Sequence, residues 1–494
     1  MATLLGATLL VAPRGAAQPA AEGENRVEMS LVKAIAEAQQ NSLDALIATN
    51  SYIASYWEYR QYKAKMLPSV SLTSTPMQYY RNIVRRYDSR ENVDKYRQQK
   101  SFYSSAELAA SQNFLPTGGV FSLATDLSYL HSFGVDRTTQ FSSVPLRLGY
   151  SQSLFGYNEF KWNRKIEPLR FSAARRQLAY EFEGVAQTAT EYFFELALRA
   201  RSEDLARENV ERCDTAYQIA TERQKIGNAT RADVLTLKLT LLQYQKELED
   251  AMVEREEAEK SLCNYLRYPP GTGIALTLPR EPEQIVMVAR DEAITLATEL
   301  SPQMQQLKIS ELRSRQELDR IKKSRLATSV SMSVGFNQSG GNFADAYKKL
   351  MRQDIVSVSL SVPILDWGEN KGRRIVAENE LEAVVLSNRQ KLEKFNQSVA
   401  LAVREYNKSY GQISLCREAE SLAAAAYDAT FQRFLIGRGD VDALSMAQNR
   451  CGQARRNYIN ALAEYWKNYY KLRQLTLYDF AAHQPIEPQV AADN

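Results

Sequence analysis

The chain has 494 residues, of which 44% are hydrophobic and 24% are charged, and its net charge is only +4. A chain of this length could form several ordinary domains, and the near balance of charges excludes the basic bias of a nucleic-acid-binding protein. No nucleic-acid partner is therefore expected. The 21 glycines and 15 prolines are few for this length, which favours long uninterrupted helices.

The amino terminus has the pattern of an export signal. Residues 1–18 contain an apolar run followed by small residues, as in a secretory signal peptide, although the basic start is missing. Residues 19–29 form a polar leader that is expected to be disordered. No later stretch has the run of about 20 apolar residues that a transmembrane helix needs. If the chain enters a membrane, it must do so as a closed β-barrel, which also satisfies the backbone in lipid.

The first structural repeat is assigned to residues 30–288 and begins with a helix. Ser30 is the predicted N-cap, and the apolar stripe after it has a period near 3.6 residues to about Lys65, with an interruption at Ser42. The period then changes to two, which predicts strands at about 68–76, 105–114, 120–130 and 144–153. Their alternation of apolar and polar residues, with tyrosines near the ends, suits a transmembrane barrel.

A polar segment, residues 77–103, separates the first two of these strands. Its basic residues outnumber its acidic ones: Arg81, Arg85, Arg86, Arg90, Lys95, Arg97 and Lys100 stand against Asp88, Glu91 and Asp94. Two interpretations stay open: a solvated loop, or an external loop that contacts anionic lipopolysaccharide.

A helical hairpin over residues 157–267 completes the first repeat. Its first helix runs to about Ile226, and about 70 residues at 1.5 Å per residue span roughly 100 Å. Gly227 reverses the chain, and the second helix runs from Ala232 to about Arg267. No compact globular domain needs helices of this length.

The second repeat, residues 289–480, follows the same plan. Residues 291–325 match 32–66 at an offset of 259, so that Ile294 corresponds to Ile35 and Ser301 to Ser42. Strands are predicted at about 329–336 and 355–364 and a second helical hairpin at 368–477, followed by a polar tail at 481–494. Because the extra hairpin at 105–130 belongs to the first repeat only, four or six strands per chain remain possible.

The two hairpin tips have related sequences. Asp233-Val-Leu follows Gly227 in the first tip, and Asp442-Ala-Leu follows Gly437 in the second. One interpretation is that Asp233 and Asp442 are N-caps of the returning helices.

A second interpretation, compatible with the first, gives Asp442 a role in a pore. In a symmetric oligomer, copies of Asp442 at a narrow closed end would form a ring of like charges, which attracts cations and raises its own pKa. Arg231 and Arg438 on neighbouring tips could offset that repulsion with salt bridges between helices.

The sequence contains no motif of catalysis or of metal binding. It has no P-loop, nucleophile elbow or zinc-protease motif, and only two histidines, His131 and His483. The four cysteines have no metal-like spacing, and no disulfide is expected within either hairpin. We therefore expect no enzyme activity, no cofactor and no metal site.

The duplicated order of strands, long helix, tip and returning helix resembles the TolC-type outer membrane efflux protein family over residues 30–478. The motifs that carry the resemblance are the strand 356–365, which runs into Asp366-Trp-Gly-Glu-Asn, and the two tips. The resemblance implies a mainly α fold with a β-barrel part, in which a trimeric α-helical tunnel is continuous with an outer-membrane β-barrel. It also implies a homotrimer that contacts outer membrane lipids, a periplasmic adaptor protein and an inner-membrane transporter of the RND, ABC or MFS type.

The resemblance further implies roles at the tips by position. Asp442 falls at the constriction carboxylate, Ser445 replaces the second acidic position one turn later, and Asp233 matches the carboxylate of the first tip. Phe434 stands where the family often has a gating tyrosine, and Arg438 is an approximate match to the gating arginine. The tip turns, which the adaptor would contact, contain Gly227, Gly437 and Gly439.

The expected function is a passive exit duct of a tripartite efflux system, located in the outer membrane and extending into the periplasm. Two alternatives remain from the sequence. The same architecture could serve type I protein secretion, or the long helices could belong to a soluble periplasmic coiled-coil scaffold. The alternating strands favour the duct, since a scaffold has no use for them.

Overall fold

The computed structural model describes residues 26–88, 91–133, 137–154, 156–226, 230–279, 286–324, 327–436 and 441–487. The predicted signal peptide at 1–18 lies outside these residues. The helices and strands are, in chain order, β1 (Arg26–Ser30), α1 (Leu31–Asn41), α2 (Leu43–Ala64), β2 (Ser69–Asp88), β3 (Val93–Phe114), β4 (Gly119–Phe133), β5 (Thr138–Ser153), α3 (Glu159–Lys225), α4 (Arg231–Leu266), β6 (Gly273–Thr277), α5 (Arg290–Leu300), α6 (Pro302–Ser324), β7 (Ala327–Gly340), β8 (Met351–Ser361), α7 (Glu369–Leu435), α8 (Val441–Thr476), β9 (Tyr478–Asp479) and β10 (Gln484–Pro485).

The chain divides into two compact units. The first, here called the tip unit, comprises Met1–Ser42, Thr188–Glu283 and Ile413–Ala463. The second, here called the sheet unit, comprises Leu43–Gln187, Gln284–Gln412 and Glu464–Asn494. The helices α3, α7 and α8 contribute residues to both units.

Six strands of the sheet unit form one sheet in the order β2-β3-β4-β5-β7-β8, and every neighbouring pair is antiparallel. Within the described residues, β2 and β8 are the two edges of this sheet. The extra hairpin of the first repeat, β3 with β4, is part of it. In the described part of the chain this sheet therefore has six strands, the larger of the two numbers that the sequence left open.

The two faces of the sheet differ in chemistry, because successive side chains along a strand point to opposite faces. One face, here called the hydroxyl face, is rich in serine and threonine, and its charged residues include Glu107, Asp126 and Arg147. The other, here called the apolar face, carries Val70, Leu72, Leu108, Leu123, Leu148, Met332, Val334, Val356, Val358 and Leu360. These apolar side chains are exposed, up to 71% at Leu72.

Aromatic rings form a row at each end of the apolar face. Near the strand ends that lead to α3 and α7, the rings of Phe114, Phe121 and Tyr150 are in contact, with centroids 5.7 and 4.6 Å apart. Near the opposite strand ends, the rings of Phe102, Tyr129 and Phe141 are in contact, with centroids 6.0 and 4.9 Å apart. The apolar face is thus a band bounded by aromatic side chains on both sides.

The polar segment 77–103 is the outer part of the β2–β3 hairpin, and its assignment as a loop was wrong. Strand pairing continues from Gln78 with Tyr103 to Asp88 with Val93, beyond a β-bulge between Thr75 and Gln78. Both faces of this part mix polar with aromatic residues. The period of two that identifies a strand is therefore hidden in the hydrophobic pattern.

The two helical hairpins are α3 with α4 and α7 with α8. Helices α3 and α7 have 67 residues each, and α4 and α8 have 36 residues each. Side-chain caps fix where the long helices begin: Asn158 Oδ1 accepts from the amide of Lys161 at 3.1 Å, and Asp366 accepts from the amides of Gly368 and Asn370 at 3.1 and 3.3 Å. Each cap satisfies amides that have no partner inside the helix.

The internal repeat is visible at two buried serines. Ser42 separates α1 from α2, Ser301 separates α5 from α6, and both are fully buried in an extended conformation. The amide of each donates to a carbonyl four residues earlier, Ala38 and Ala297 respectively, at 3.0 Å. The offset of 259 therefore relates backbone geometry as well as sequence, and each predicted single helix is a pair of helices broken at its serine.

Both ends of the described chain are ordered where a leader and a tail were expected. Residues 26–30, assigned to the end of the leader and the start of the first helix, form β1, which pairs in parallel with β6 and buries Met29 completely. In the tail, β10 pairs with β9. Glu487 forms an ion pair with Arg175 at 2.9 Å. Few apolar residues mark these segments, so their strand partners could not be read from composition.

A buried ion-pair network joins α3, α8 and β9 within the sheet unit. Arg473 donates from Nε and Nη2 to both carboxylate oxygens of Glu183 at 2.9 Å, and from Nη1 to Asp479 at 2.9 Å. Tyr469 donates to the other oxygen of Asp479 at 3.0 Å. Burial raises the pKa of the Glu183 carboxyl, and the charge of Arg473 acts against that rise. The guanidinium thus neutralises two carboxylates at once.

No helix among the described residues is both long and apolar enough to cross a membrane. The described residues also contain no group of three or more His, Cys, Asp or Glu side chains that could hold a metal ion.

Candidate functional site

The tips of the two helical hairpins lie in the tip unit, and the structure describes the helix ends on both sides of each turn. Helix α3 is followed by Ile226 and α4 is preceded by Thr230; α7 is followed by Ile436 and α8 begins at Val441. The turn residues Gly227, Gly437, Arg438 and Gly439 lie outside the described residues.

The two tips pack against each other through a common core, here called the tip cluster. It contains buried residues of all four helices: Ala216, Ala220, Leu237, Tyr427, Phe434, Leu444 and Cys451. Phe434, which the family resemblance places at a gating tyrosine position, is 4% exposed inside it. A phenylalanine side chain cannot donate a hydrogen bond, so its contribution is packing and burial.

Arg223, near the end of α3, binds the end of α7. Its Nη2 donates to the carbonyl of Leu435 at 2.8 Å and its Nη1 to that of Phe434 at 3.3 Å. The last carbonyls of a helix have no partner within the helix and carry its negative dipole end, so a cation there is stabilising. The guanidinium carbon also lies 5.8 Å from the ring centroid of Phe434. Arg223 therefore ties the first hairpin to the second.

Sequence reasoning missed Arg223. A basic residue in the last turn of a helix ordinarily serves the carbonyls of its own helix. Only the packing of the two hairpins brings the end of α7 within its reach, and no sequence pattern records that packing.

Asp233 belongs to a capping box at the start of α4. The Thr230 hydroxyl accepts from the amide of Asp233 at 3.1 Å, and the Asp233 carboxylate accepts from the amide of Thr230 at 3.0 Å and from its hydroxyl at 2.7 Å. Thr230 is therefore the N-cap and Asp233 its reciprocal partner three residues later. These hydrogen bonds hold the pKa of Asp233 below its usual value.

Asp442 is exposed in the first turn of α8. It lies two residues before Leu444, which is buried in the tip cluster. Since each helical residue turns the direction by about 100°, two residues place Asp442 on the side of α8 opposite to the cluster. Its carboxylate is thus directed away from the core of its own protomer.

The two tip motifs are not structurally equivalent, because different leucine positions are buried in them. The sequence match pairs Leu235 with Leu444, yet Leu235 is 61% exposed and Leu444 is buried; the buried leucine of α4 is Leu237. A shift of two residues moves a side chain to the opposite face of a helix. Asp233 and Asp442 are therefore not equivalent positions: Asp233 lies one turn before the buried Leu237, whereas Asp442 does not share the face of Leu444.

Ser445, at the second acidic position of the family pattern, faces the interior of the tip unit. It lines a small cavity together with Tyr244 of α4, whose hydroxyl pKa is raised by burial. Two polar contacts join α3 to α8: Gln448 donates to Asn209 at 2.6 Å, and Arg455 forms an ion pair with Glu208 at 3.0 Å. The side of α8 that carries Ser445 is thus occupied by contacts within the protomer.

The remaining candidates are unremarkable in their surroundings. Arg231 is the exposed first residue of α4. The four cysteines are free thiols, and burial raises the pKa of Cys213 to about 11. A thiol that stays protonated at neutral pH is a poor nucleophile and a poor metal ligand.

Part of the chain matches the model of a known protein family. Residues 293–476, which run from α5 to the end of α8, match the family model of the outer membrane efflux protein. This part of the chain is therefore similar to an outer membrane efflux protein domain. The resemblance to the TolC-type efflux protein family that the sequence indicated is confirmed.

Solved structures of membrane proteins share the fold over both repeats. The CmeC outer membrane channel of Campylobacter jejuni has a TM-score of 0.66 and 13% identity, over 93% of this chain and 87% of that chain. The outer membrane protein VceC of Vibrio cholerae has a TM-score of 0.62 and 13% identity, over 90% and 95%. A membrane protein from Pseudomonas aeruginosa has a TM-score of 0.63 and 15% identity, over 90% and 93%. No curated protein matches the chain by sequence.

Proposed function

We propose that three copies of this chain form an outer-membrane efflux channel, a passive exit duct for substrates delivered from the inner membrane. The observation that carries the proposal is the six-stranded sheet, with an exposed apolar face, a hydroxyl face and two unpaired edges in the described part of the chain. Such a surface is unfavourable in water, because exposed apolar patches and open strand edges both promote association.

Three such sheets joined edge to edge would have three times six, or 18, strands, an even number as outer-membrane barrels favour. The apolar face would then contact lipid, and the hydroxyl face would line a water-filled passage. The aromatic rows support this orientation. Phe121 and Tyr129 lie eight positions apart on β4, which at the usual strand rise and a tilt near 40° gives a height of roughly 20 Å, close to the apolar band of known barrels.

The hairpin tips support a gate at the periplasmic end of the duct. In the proposed trimer, the outward-directed Asp442 of each protomer contributes to a ring of carboxylates, while Arg231 and Arg438 lie on the neighbouring tips. The hairpins of one protomer are held together by the tip cluster and by Arg223. We infer that the gate opens when a periplasmic adaptor and an inner-membrane transporter engage the tips, around Gly227, Gly437 and Gly439.

The proposal is tested on the mature chain. We expect it in the outer-membrane fraction, with a trimeric mass in detergent by native mass spectrometry and with discrete conductance steps in planar bilayers. Recovery of the chain in the soluble periplasmic fraction, as a protein without conductance, would refute the proposed exit duct and favour the soluble coiled-coil scaffold. Cargo and adaptor can be identified by co-purification after cross-linking in cells.

A further inference from the structure

We propose that Arg81 and Lys100, on the outer part of the β2–β3 hairpin, form a binding site for the phosphorylated headgroup of an outer-leaflet glycolipid. This inference rests on the proposed function, because it requires the apolar face of the sheet to lie in the outer membrane. It assigns a specific lipid contact to the segment for which the sequence left open either a solvated loop or a contact with anionic lipopolysaccharide.

The strand register places both basic residues on the apolar face. Arg81 is paired directly with Lys100, one step beyond the pair of Tyr79 with Phe102. Along β3, Lys100 and Phe102 are separated from Leu108 by even numbers of residues, and the pairing of this stretch with β4 has no bulge. All three side chains therefore project from the same side of the sheet.

The level of the two basic residues matches that of lipid phosphates. Phe102 belongs to the aromatic row at the end of the sheet away from α3 and α7. Aromatic rows of this kind mark the interface between hydrocarbon and headgroups. Lys100 lies two residues further on, roughly 7 Å along the strand, so the cations begin where the apolar band ends.

The pair of cations needs a counterion that the described chain does not provide. Like charges directly opposite each other on neighbouring strands are destabilising. The next cation on this face, Arg85, is neutralised by an ion pair with Asp94. No ion pair among the described residues includes Arg81 or Lys100. An anion between them would convert the repulsion into two attractive contacts.

Arg81 is also held in place on this face. With the amide of Gln98 oriented so that its oxygen faces the guanidinium, that oxygen accepts from Nε at 2.8 Å and from Nη2 at 2.9 Å. Nη1 remains for a ligand. A fixed guanidinium beside a flexible ammonium suits the oxygens of a phosphate ester, while the acyl chains of the same lipid would cover Leu108 and its apolar neighbours.

The test compares Lys100→Gln and Arg81→Gln, alone and combined, with Lys95→Gln as a matched control. Lys95 lies on the same strand as Lys100 but on the opposite face, and it forms an ion pair with Glu91. Native mass spectrometry of the detergent-purified trimer measures binding of bisphosphorylated lipid A and of its dephosphorylated form. Each substitution should weaken binding of the phosphorylated lipid roughly fivefold, and the pair roughly 30-fold.

The dephosphorylated lipid should bind equally to all variants, and Lys95→Gln should behave like the unmodified chain. Unchanged binding of phosphorylated lipid by the double variant would overturn the site, as would an equal loss for both lipids. Conductance in planar bilayers separates this outcome from failure of the channel itself. An unmodified trimer that conducts but shows no preference for the phosphorylated lipid refutes the headgroup site alone, whereas absence of conductance refutes the duct.

Discussion

At the scale of residues, the two tip carboxylates have different surroundings although their sequences are alike. The Asp233 carboxylate is used by the capping box of α4, whereas Asp442 is exposed on the side of α8 away from the tip cluster. The sequence could predict that both acids begin returning helices. It could not separate their roles. The buried leucine lies four residues after Asp233 but two residues after Asp442, and this difference depends on how the hairpins pack.

Substitutions at these two residues should therefore have different effects. Asp442→Asn should weaken block of single-channel conductance by divalent cations, because it removes one charge per protomer from the proposed ring. Asp233→Asn should leave that block unchanged and instead reduce amide protection in the first turn of α4. Equal cation block in Asp442→Asn and unmodified channels would return Asp442 to a capping role only.

The Asp233 contribution also has a defined pH dependence. Its pKa is depressed in the folded chain by the Thr230 hydrogen bonds, so its stabilising effect is present above the unfolded carboxyl pKa of about 3.8. The effect is lost as pH falls through the lower folded value. Hydrogen exchange of the α4 amides at neutral and acidic pH checks this, with Asp233→Asn as the variant that should show no such change.

Arg223 gives a second prediction at this scale. Arg223→Gln removes a cation that donates to two helix-end carbonyls, which should cost about 1–3 kcal/mol and loosen the end of α7. In planar bilayers the channel should leak more often than the unmodified one. Lys225→Gln is the control, because Lys225 is exposed and its ion pair among the described residues is with the exposed Glu222. Identical leak rates in the two variants would show that Arg223 does not hold the tips.

At the scale of elements, the helices and the central strands follow from periodicity, whereas the β2–β3 hairpin does not. Helices α3, α4, α7 and α8 are long segments without strand-like alternation and with clear breaks at their ends, and their bounds differ from the predicted ones by at most two residues. Segment 77–103 has no hydrophobic alternation, so its pairing is fixed by continuity with the inner strands rather than by its own sequence. Strand β1 also could not be identified from its own sequence, because it pairs with the distant β6.

The assignment of the two sheet faces predicts a contrast between neighbouring residues of β7. Met332→Arg places a charge on the apolar face and should destabilise the membrane-inserted protein by about 2–4 kcal/mol. Ser331→Arg places the same charge on the hydroxyl face and should be tolerated. The yield and the urea midpoint of detergent-stable trimers measure the difference. If Ser331→Arg were the more damaging change, the assignment of faces would be reversed.

At the scale of the whole molecule, the carboxyl-terminal segment is attached by the Glu183–Arg473–Asp479 network. Arg473→Gln leaves two carboxylates without their shared cation, which should cost about 3–5 kcal/mol. Without Arg473, burial and the negative charge of Asp479 both act on Glu183, so its folded pKa should rise further. A raised carboxyl pKa means that the contribution of Glu183 to stability is fully present below the ordinary value of 4.5 and is lost as pH increases through the folded pKa.

Denaturation midpoints measured between pH 4 and 8 check the Arg473→Gln prediction. Arg175→Gln is a suitable control, since it removes an exposed ion pair to Glu487 in the same segment. A flat profile for Arg473→Gln would contradict a dominant role for the buried Glu183 carboxylate.

The unpaired edges of β2 and β8 have a genetic consequence. In the proposed trimer, each sheet is completed only by its neighbours, so a chain that inserts poorly also leaves an edge open on two intact partners. If a defective and an intact copy are expressed equally, about one trimer in eight contains only intact chains. Alleles that damage the apolar face without preventing association should therefore be dominant over the wild type, whereas alleles that abolish the protein should be recessive.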